Sequence, residues 1–259
     1  MRMVTWNVNS IRARNERVMA WLQRHAPDIV LLQETKCSDA VFEQFTKEYE
    51  ALGYAVAHNG RDHWNGVAIL SRVGLDDVRF GFAGVNQPPF DEPRLVSAVC
   101  GGIDVHSVYV PNGRELDDPH YLYKLVWLER LRAVVDPTRP GILAGDFNVA
   151  PTDVDIYDPP RWRRRTHASA PERAAIVALN DIGLVDVTRQ HLPDAGVYTW
   201  WSYRPDQFER NRGLRIDLAL CSPDVARRVT SVWVDTDERA APHHSEKPSD
   251  HAPLVLDLT

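Results

Sequence analysis

Short apolar segments separated by polar turns dominate the pattern of hydrophobic positions along the 259-residue chain. The continuous apolar segment Ile29–Leu32 has the length of a strand and is typical of burial on both faces. Further strands are predicted at Met3–Val8, Gly66–Ser71, Leu95–Val99, Val105–Val110, Gly141–Ala144, Gly196–Trp201, Ile216–Cys221, Val229–Val234 and Leu254–Leu258.

Helical periodicity occurs in fewer segments. Val18, Trp21 and Leu22 share one face of a predicted helix over Arg14–Arg24, which ends near Pro27. Because strands outnumber helices and often follow one another directly, the pattern favours packed antiparallel or mixed sheets with helices outside. It disfavours a doubly wound parallel sheet. The other predicted helices are Ala40–Leu52, Tyr121–Val135 and Pro171–Asp181.

The composition is that of an ordinary globular protein. Hydrophobic residues make up 44% and charged residues 25% of the chain, which excludes a disordered chain, a collagen-like repeat and a coiled coil. No repeat or linker divides the pattern, so residues 1–259 are expected to form one domain. No apolar run approaches the roughly 20 residues that cross a bilayer. The three cysteines have no disulfide or zinc spacing, so we expect a cytoplasmic protein without membrane contact.

The charge balance is mildly acidic. Thirty Lys and Arg residues against 36 Asp and Glu residues give a net charge of −6. This value argues against a protein that simply coats nucleic acid, although it allows a local basic surface. Acidic side chains gathered around a metal would also lower the total.

Polar side chains lie in or directly after several predicted strands. Carboxylates at such positions are costly to bury unless they bind a metal or a hydrogen-bond partner. Taken alone, Glu34 can cap a strand, Asp146 can form an ordinary turn, and Asp217 can pair with Arg215. A single buried tyrosine or histidine is equally ordinary. The shared character of the set favours one common site, whose members are Asn7, Glu34, Tyr109, Asp146, Asn148, Asp217, Asp250 and His251.

The residue types of this set indicate a particular chemistry. Carboxylate and amide oxygens are hard ligands that suit Mg²⁺ or Mn²⁺ and do not suit zinc. Mg²⁺ usually keeps coordination positions for water and for phosphate oxygens. A histidine with an aspartate to orient it, and a tyrosine hydroxyl, complete a set suited to in-line attack of water on a phosphodiester.

Two segments resemble signatures of the exonuclease III family of abasic-site endonucleases. Pro27–Lys36 is similar to the first signature, and Asn211–Ser222 is similar to another. Shorter matching segments follow in the family's order over nearly the whole chain. They are Thr5–Asn9, Tyr109–Gly113, Gly145–Asn148 with Pro151–Asp153, Tyr198–Arg204 and Lys247–Pro253.

The resemblance implies a fold and an activity. The fold is an α/β four-layer sandwich of the DNase I type, in which two packed mixed or antiparallel sheets are flanked by helices. The activity is that of a monomeric DNA repair nuclease that depends on Mg²⁺, with Mn²⁺ as a substitute. Such an enzyme incises double-stranded DNA 5′ to abasic sites and removes nucleotides or blocking groups from 3′ ends.

The resemblance also implies roles for individual residues. Glu34 is the principal metal ligand, with Asn7 beside it. Asp146 accepts a proton from the attacking water or orients it. Asn148 contacts the water or a phosphate oxygen. The phosphate contacts are His251 (oriented by Asp217), Tyr109 and Asn112. Further contacts with the metal are implied for Asp146, Asn148 and His251, and outer or alternative ones for Asp250 and Asn9.

Two groups of residues are predicted to contact DNA. The basic loop Arg161–Arg165 follows the strand of Asp146, so phosphate contacts by Arg161 and Arg164 are favoured over a merely solvated loop. Lys124 and Arg94 are further predicted contacts. A second group, Trp200, Leu214 and Ile216, resembles the family's lesion pocket, with ordinary core positions as the alternative.

Two other functions are compatible with the residues. A related phosphodiesterase could act on another substrate such as a phosphoinositide, although the two signatures and the loop Trp200–Arg204 argue against it. A DNA-binding regulator without catalysis would carry substitutions at the catalytic positions. None of those positions is substituted: Glu34, Asp146, Asn148, Asp217 and His251 are all present.

Overall fold

Two sheets form the centre of the protein. The computed structural model describes residues 1–82, 84, 90–240 and 246–259. The strands of these residues are β1 (Arg2–Asn7), β2 (Ile29–Gln33), β3 (Ala55–Arg61), β4 (Trp64–Ser71), β5 (Asp76–Phe80), β6 (Leu95–Cys100), β7 (Ile103–Tyr109), β8 (Gly141–Asp146), β9 (Val185–Asp186), β10 (Asp217–Cys221), β11 (Val229–Val234) and β12 (Leu254–Leu258). The first sheet has the order β11-β12-β1-β2-β4-β3, and the second has the order β5-β6-β7-β8-β10-β9.

Helices cover the outer faces of both sheets. The α-helices of the described residues are α1 (Asn15–His25), α2 (Asp39–Ala51), α3 (Pro119–Leu131), α4 (Pro159–Trp162), α5 (Ala170–Asp181), α6 (Val187–His191), α7 (Pro223–Ala226) and α8 (Thr236–Ala240). Short 3-10 turns lie at Ile11–Ala13 and Asp153–Asp155. Ser169 begins α5 with a capping box, in which its hydroxyl and the Glu172 carboxylate each bind the other's backbone amide.

The hydrophobic core lies in three layers between these elements. All five residues of β2 are buried, so this strand contributes side chains to a core layer on each face of the first sheet. Ile29 and Leu31 join the cluster between the two sheets, whereas Val30 and Leu32 pack against α1 and α2. A third cluster joins α3 and α5 to the outer face of the second sheet, with Trp127 and Leu179 among its members. The predicted four-layer fold is therefore confirmed.

A polar contact crosses the gap between the sheets. Gln33 at the end of β2 donates from Nε2 to Ser107 Oγ of β7 at 3.1 Å, and both side chains are buried. Thr5 donates to the other end of the same amide at 3.2 Å. Buried polar groups of this kind fix one relative position of the packed sheets.

The second sheet also requires one close approach of backbones. Gly145 precedes Asp146 in β8 and has φ +152°. A Cβ atom added there would lie 2.0 Å from the carbonyl oxygen of Val108 in the neighbouring strand. Only glycine allows β7 and β8 to stay paired at this point.

One predicted strand is wrong, and three strands were not predicted, namely β3, β5 and the two-residue β9. The predicted strand Gly196–Trp201 is a loop. It forms only isolated β-bridges, from Trp200 to Leu214 and to His251. The strands β3 and β5 lack a clear apolar pattern since they lie at sheet edges with exposed side chains. Within the described ranges, no helix is both long enough and apolar enough to cross a membrane.

Candidate active site

Strand register brings residues that are distant in sequence to one end of both sheets. In the second sheet, Asp146 at the end of β8 lies opposite Tyr109 of β7 and Asp217 of β10. In the first sheet, Asn7 pairs with Gln33 as β1 and β2 run in parallel, and Glu34 follows directly. The predicted strand-end residues therefore meet in one place.

A single amide joins the carboxylates of the two sheets. Asn7 donates from Nδ2 to Glu34 Oε1 at 3.0 Å and to Asp146 Oδ2 at 2.9 Å. Asn7 is fully buried and Asp146 is almost so. Burial raises the pKa of Asp146 to about 7; the charge of His251 opposes this rise, and the charges of Asp217 and Glu34 add to it. A carboxylate with such a pKa can accept a proton near neutral pH.

His251 and Asp217 form a buried dyad beside this pair of carboxylates. His251 Nδ1 lies 2.8 Å from Asp217 Oδ2, and its Nε2 lies 3.7 Å from Asp146 Oδ2. Burial opposes the charged ring, but Asp217 and Asp146 together raise the pKa of His251 to about 10. Thr199 Oγ1 accepts the backbone amide of Asp217 at 3.1 Å and fixes the start of β10. The ring is therefore cationic at neutral pH, with Nε2–H directed toward Asp146.

Two residues of the site adopt a left-handed backbone. Glu34 has φ +53° and Asn148 has φ +50°, values that non-glycine residues rarely adopt. Backbone strain of this kind is concentrated at functional sites. Burial favours the neutral form of Glu34, but Lys36 at 2.6 Å and Asn7 lower its pKa, so the side chain is a carboxylate.

Asn148 connects the carboxylates to the loop after β7. Its backbone amide donates to Asp146 Oδ1 at 2.8 Å, and its Nδ2 donates to Val110 O at 3.0 Å. Its Oδ1 accepts from Asn112 Nδ2 at 3.2 Å. Asn112 is exposed, so the predicted phosphate contact is sterically open to it.

Tyr109 lies at the end of β7, half-buried, next to Glu34. Packing around the phenol raises the pKa of Tyr109 well above its usual range, and the Glu34 carboxylate adds to this effect. The guanidinium of Arg94 lies 4.8 Å from the centre of the ring and donates to the Tyr109 carbonyl at 3.3 Å. Arg94 is buried, so it supports Tyr109 and does not present its charge to a duplex.

The predicted DNA contact of Lys124 does not fit the structure. Its side chain is 0% exposed and forms an ion pair with Glu172, which is equally buried. The ammonium also donates to the carbonyl oxygens of Asn148 at 2.6 Å and Asn112 at 3.2 Å. Lys124 is therefore buried below the site, where it binds the backbone of the two loops that carry Asn112 and Asn148.

Asp250 stands apart from the other predicted metal ligands. Its Oδ1 accepts from Asn9 at 2.9 Å, and its Oδ2 accepts from the indole of Trp200 at 3.0 Å. Asn9 in turn accepts from Lys36 at 2.6 Å, and Lys36 pairs with Glu34. A chain of hydrogen bonds thus joins Glu34 to Trp200, with both oxygens of Asp250 engaged.

An aromatic and basic cleft of about 170 Å³ opens beside the site. Trp200, Trp162 and Tyr157 provide its rings, while Leu214 and Ile216 are buried beneath the two tryptophans. Trp200 lines this cleft, whereas Leu214 and Ile216 are core residues beneath it, and a lesion-pocket role for the three stays a prediction. Four guanidinium groups complete the lining, those of Arg161, Arg165, Arg204 and Arg212.

The two arginines predicted to bind phosphate differ in position. Arg161 lines the cleft, whereas Arg164 is exposed on the same segment and does not. Thr199 and Glu172 were not predicted, although each holds a catalytic segment in place. The spacing of Ser169 and Glu172 is that of a helix capping box, which predicts a cap but not the ion pair with Lys124. Thr199 has no distinctive spacing, so no sequence signal identifies it.

The donor set fits a hard divalent cation. Carboxylate oxygens of Asp146 and Asp217 lie within 4.8 Å of each other and of a ring nitrogen of His251. Asp217 Oδ1 is buried and lacks a hydrogen-bond partner among the described residues, which leaves one lone-pair oxygen for a ligand. Carboxylate and amide oxygens predominate, with Glu34 and Asn7 completing the set, and this chemistry suits Mg²⁺ or Mn²⁺.

Known proteins share this fold and these sequence features over the full chain. Residues 4–251 match the model of the endonuclease/exonuclease/phosphatase family. The chain therefore belongs to that family.

Among relatives, exodeoxyribonuclease III of Haemophilus influenzae is 33% identical, covering 98% of this chain and 98% of that protein. An AP endonuclease from Archaeoglobus fulgidus superposes with a TM-score of 0.93 at 38% identity, covering 100% of this chain and 99% of the other. The 3′ phosphatase NExo from Neisseria, in a structure bound to product DNA hairpin, gives 0.94 at 38% identity with the same coverage. The similarity extends over nearly the whole of each chain.

Proposed function

We propose that this protein is a DNA repair nuclease that hydrolyses phosphodiester bonds by metal-assisted attack of water. The observation that carries the proposal is that Asn7 binds Glu34 and Asp146 together, while the Asp217–His251 dyad lies 3.7 Å from the same carboxylate. A base (Asp146), a cationic side chain (His251) and a site for a divalent metal at Glu34 and Asn7 thus lie next to one another. The exonuclease and AP endonuclease names of the relatives support DNA as the substrate.

Asp146 activates the water. Its pKa near 7 allows it to take a proton as the water attacks phosphorus, and Asn148 holds it through a backbone amide and a side-chain amide. Glu34 and Asn7 would hold the divalent metal, which would supply Lewis-acid stabilisation of the charge on the phosphate oxygens. Asn148 and Asn112 orient a phosphate oxygen from the side of the β7 loop.

His251 and Tyr109 stabilise the phosphate as the bond breaks. The cationic His251 donates from Nε2 to a non-bridging phosphate oxygen, and Asp217 keeps the ring oriented through Nδ1. Tyr109 keeps its proton, because its pKa is raised, and donates toward the departing oxygen. The bond between phosphorus and the 3′ oxygen breaks, leaving a 3′ hydroxyl and a 5′ phosphate.

The finer specificity belongs to the same proposal. The substrates are double-stranded DNA with abasic sites, incised on the 5′ side, and 3′ ends that carry phosphate or nucleotides. The small aromatic cleft at Trp200 suits a deoxyribose that lacks its base. An abasic nucleotide also leaves the base stack at low energetic cost. One domain acts as a monomer, with both sheets of one chain supplying the site.

A substrate panel tests the proposal. Purified protein is incubated with an abasic duplex, a 3′-phosphate hairpin, a blunt duplex and a phosphoinositide, each with Mg²⁺ or with EDTA. We expect cleavage of the DNA substrates only, with full loss in EDTA and recovery with Mg²⁺ or Mn²⁺. An Asp146→Asn variant, which keeps the shape of the side chain, should lose about 10²–10⁴-fold in kcat.

Other outcomes distinguish the alternatives. Preferential hydrolysis of the phosphoinositide would identify a different substrate. Tight DNA binding without cleavage would identify a regulator. Full activity in EDTA would exclude the metal.

A further inference from the structure

The metal-binding carboxylate of Glu34 stands on a strained segment of backbone. Glu34 has φ +53° and Lys36 has φ +52°, so two left-handed residues flank Thr35. Neither is a glycine or an asparagine, which adopt this conformation most readily. The surroundings must therefore hold the segment in place.

Backbone hydrogen bonds clamp this segment from both sides. The amides of Ser10 and Ile11, after β1, donate to the carbonyl oxygens of Glu34 and Thr35 at 2.7 Å and 3.0 Å. On the other side, the start of β4 accepts the amides of Thr35 and Lys36. These bonds fix the path of the chain, but none of them involves the side chain of the central residue.

The side chain of Thr35 is anchored separately, in β3. Thr35 is 0% exposed, and its Oγ1 lies 2.8 Å from His58 Nε2. His58 Nδ1 lies 2.7 Å from Asp39 Oδ1. Burial lowers the pKa of His58 to about 4, although Asp39 opposes this, so the ring is neutral. Nδ1–H therefore donates to Asp39, and Nε2 accepts the Thr35 hydroxyl proton.

The packing leaves these side chains no alternative position. Gly66 has φ +88°, and a Cβ atom there would lie 2.1 Å from Thr35 Oγ1. A Cβ atom at Gly60 would lie 2.3 Å from the His58 ring. On its face, the ring stacks on Phe42 with centroids 3.9 Å apart. The two glycines thus provide the space into which the hydroxyl and the imidazole fit.

We propose that Thr35, His58 and Asp39 form a relay that positions Glu34 for metal binding. None of the three belongs to the metal-ligand set, so they are positioning residues that act through the Glu34 backbone. Partners of this kind fix the orientation of ligands, and their loss typically weakens metal affinity by about 10–100-fold. The inference rests on the proposed function in one respect, namely that Glu34 binds the divalent cation.

Mn²⁺ binding in the absence of DNA tests the relay. Isothermal titration calorimetry measures the Mn²⁺ Kd of the wild-type protein, Thr35→Val and Thr35→Ser. Thr35→Val keeps the shape but lacks the hydroxyl, so we expect a Kd about 10–100-fold weaker. Thr35→Ser keeps the hydroxyl and should restore a Kd near that of the wild type. Nuclease turnover lost in Thr35→Val should recover as Mg²⁺ is raised.

The second sheet offers a matched control. Ser97 Oγ lies 2.7 Å from His106 Nδ1, with both side chains buried, so Ser97→Ala removes a similar hydroxyl–imidazole bond away from Glu34. This variant should leave the Mn²⁺ Kd unchanged. An equal weakening in Ser97→Ala would overturn the relay as a specific device.

The remaining outcomes separate this inference from the proposed function. A folded Thr35→Val with a Kd within about twofold of the wild type overturns the relay and leaves the nuclease intact. Absence of Mn²⁺ binding in the wild type overturns the metal site itself, and the relay with it. If Thr35→Val does not fold, His58→Gln replaces it with the same expected weakening.

Discussion

His251 Nδ1 lies 2.8 Å from Asp217 Oδ2, and this contact makes the two residues one functional unit. The dyad is buried and reaches Asp146 through the other ring nitrogen. The Oδ2 oxygen of the aspartate is engaged by the ring nitrogen. Its contribution is the orientation and the charge of His251.

A double-mutant cycle measures this coupling. His251→Asn and Asp217→Asn should each lower kcat by about 10²–10⁴-fold in protein that circular dichroism shows to be folded. The double variant should lose hardly more than the worse single variant, since Asp217 acts through His251. Losses that multiply in the double variant would contradict the dyad.

The buried pair of Lys124 and Glu172 leads to a stability prediction. Lys124→Met leaves an uncompensated carboxylate in the interior and should lower the free energy of unfolding by about 3–5 kcal/mol. Lys124→Met combined with Glu172→Gln should regain part of that loss, because no charge stays buried and the amide oxygen still accepts from the backbone amide of His167. Urea unfolding measures both. Arg132→Met, at the exposed end of α3, is the control and should change little; an equal effect there would contradict the argument.

Acid should weaken the fold through buried neutral histidines. Burial lowers the pKa of His106 to about 4, against an ordinary value of 6.5. The unfolded chain therefore binds a proton as the pH falls through 6.5, whereas the folded chain resists until about 4. Stability from this residue is present above 6.5 and is lost between 6.5 and 4, by up to about 3 kcal/mol.

The His106→Gln variant tests the assignment. Its free energy of unfolding should fall less than that of the wild type between pH about 7 and about 4.5. Identical slopes in both proteins would show that His106 does not contribute.

Trp200 leads to a prediction about substrate choice. Trp200→Ala opens the aromatic cleft and should lower kcat/KM for abasic-site incision by about tenfold relative to 3′-phosphate removal. Trp200→Phe removes only the indole bond to Asp250 and should keep most of the preference. A parallel fall in both activities of a well-folded Trp200→Ala would mean that the residue is scaffold.

The strand-end pattern predicted the centre of the site because it depends on local physics. Asp146 and Asp217 follow or open apolar strands, and register brings them together once those strands pair. The oxygen chemistry of the side chains then points to a hard metal. Their roles as ligand, base or phosphate contact stay predictions.

What the sequence could not predict depends on packing between distant elements. Lys124 was expected to bind DNA, but the contact of α3 with α5 brings Glu172 to it and buries both. Asp250 was expected as an outer or alternative metal contact, and the spacing did not reveal that Asn9 and Trp200 engage both of its oxygens. In each case a polar residue has a role set by a partner far along the chain, which spacing alone does not reveal.

The bond between Gln33 and Ser107 has a consequence for how this protein tolerates change. Each sheet carries half of the catalytic groups, so the spacing between the two sheets sets the distance between those groups. An enlarged interior side chain, as in Ala144→Val, could leave the chain folded and its surface unaltered, yet slow turnover by moving one sheet against the other. Selection for activity would therefore also act on residues between the sheets. In relatives, a larger side chain at one such position should be accompanied by a smaller one at a neighbouring position.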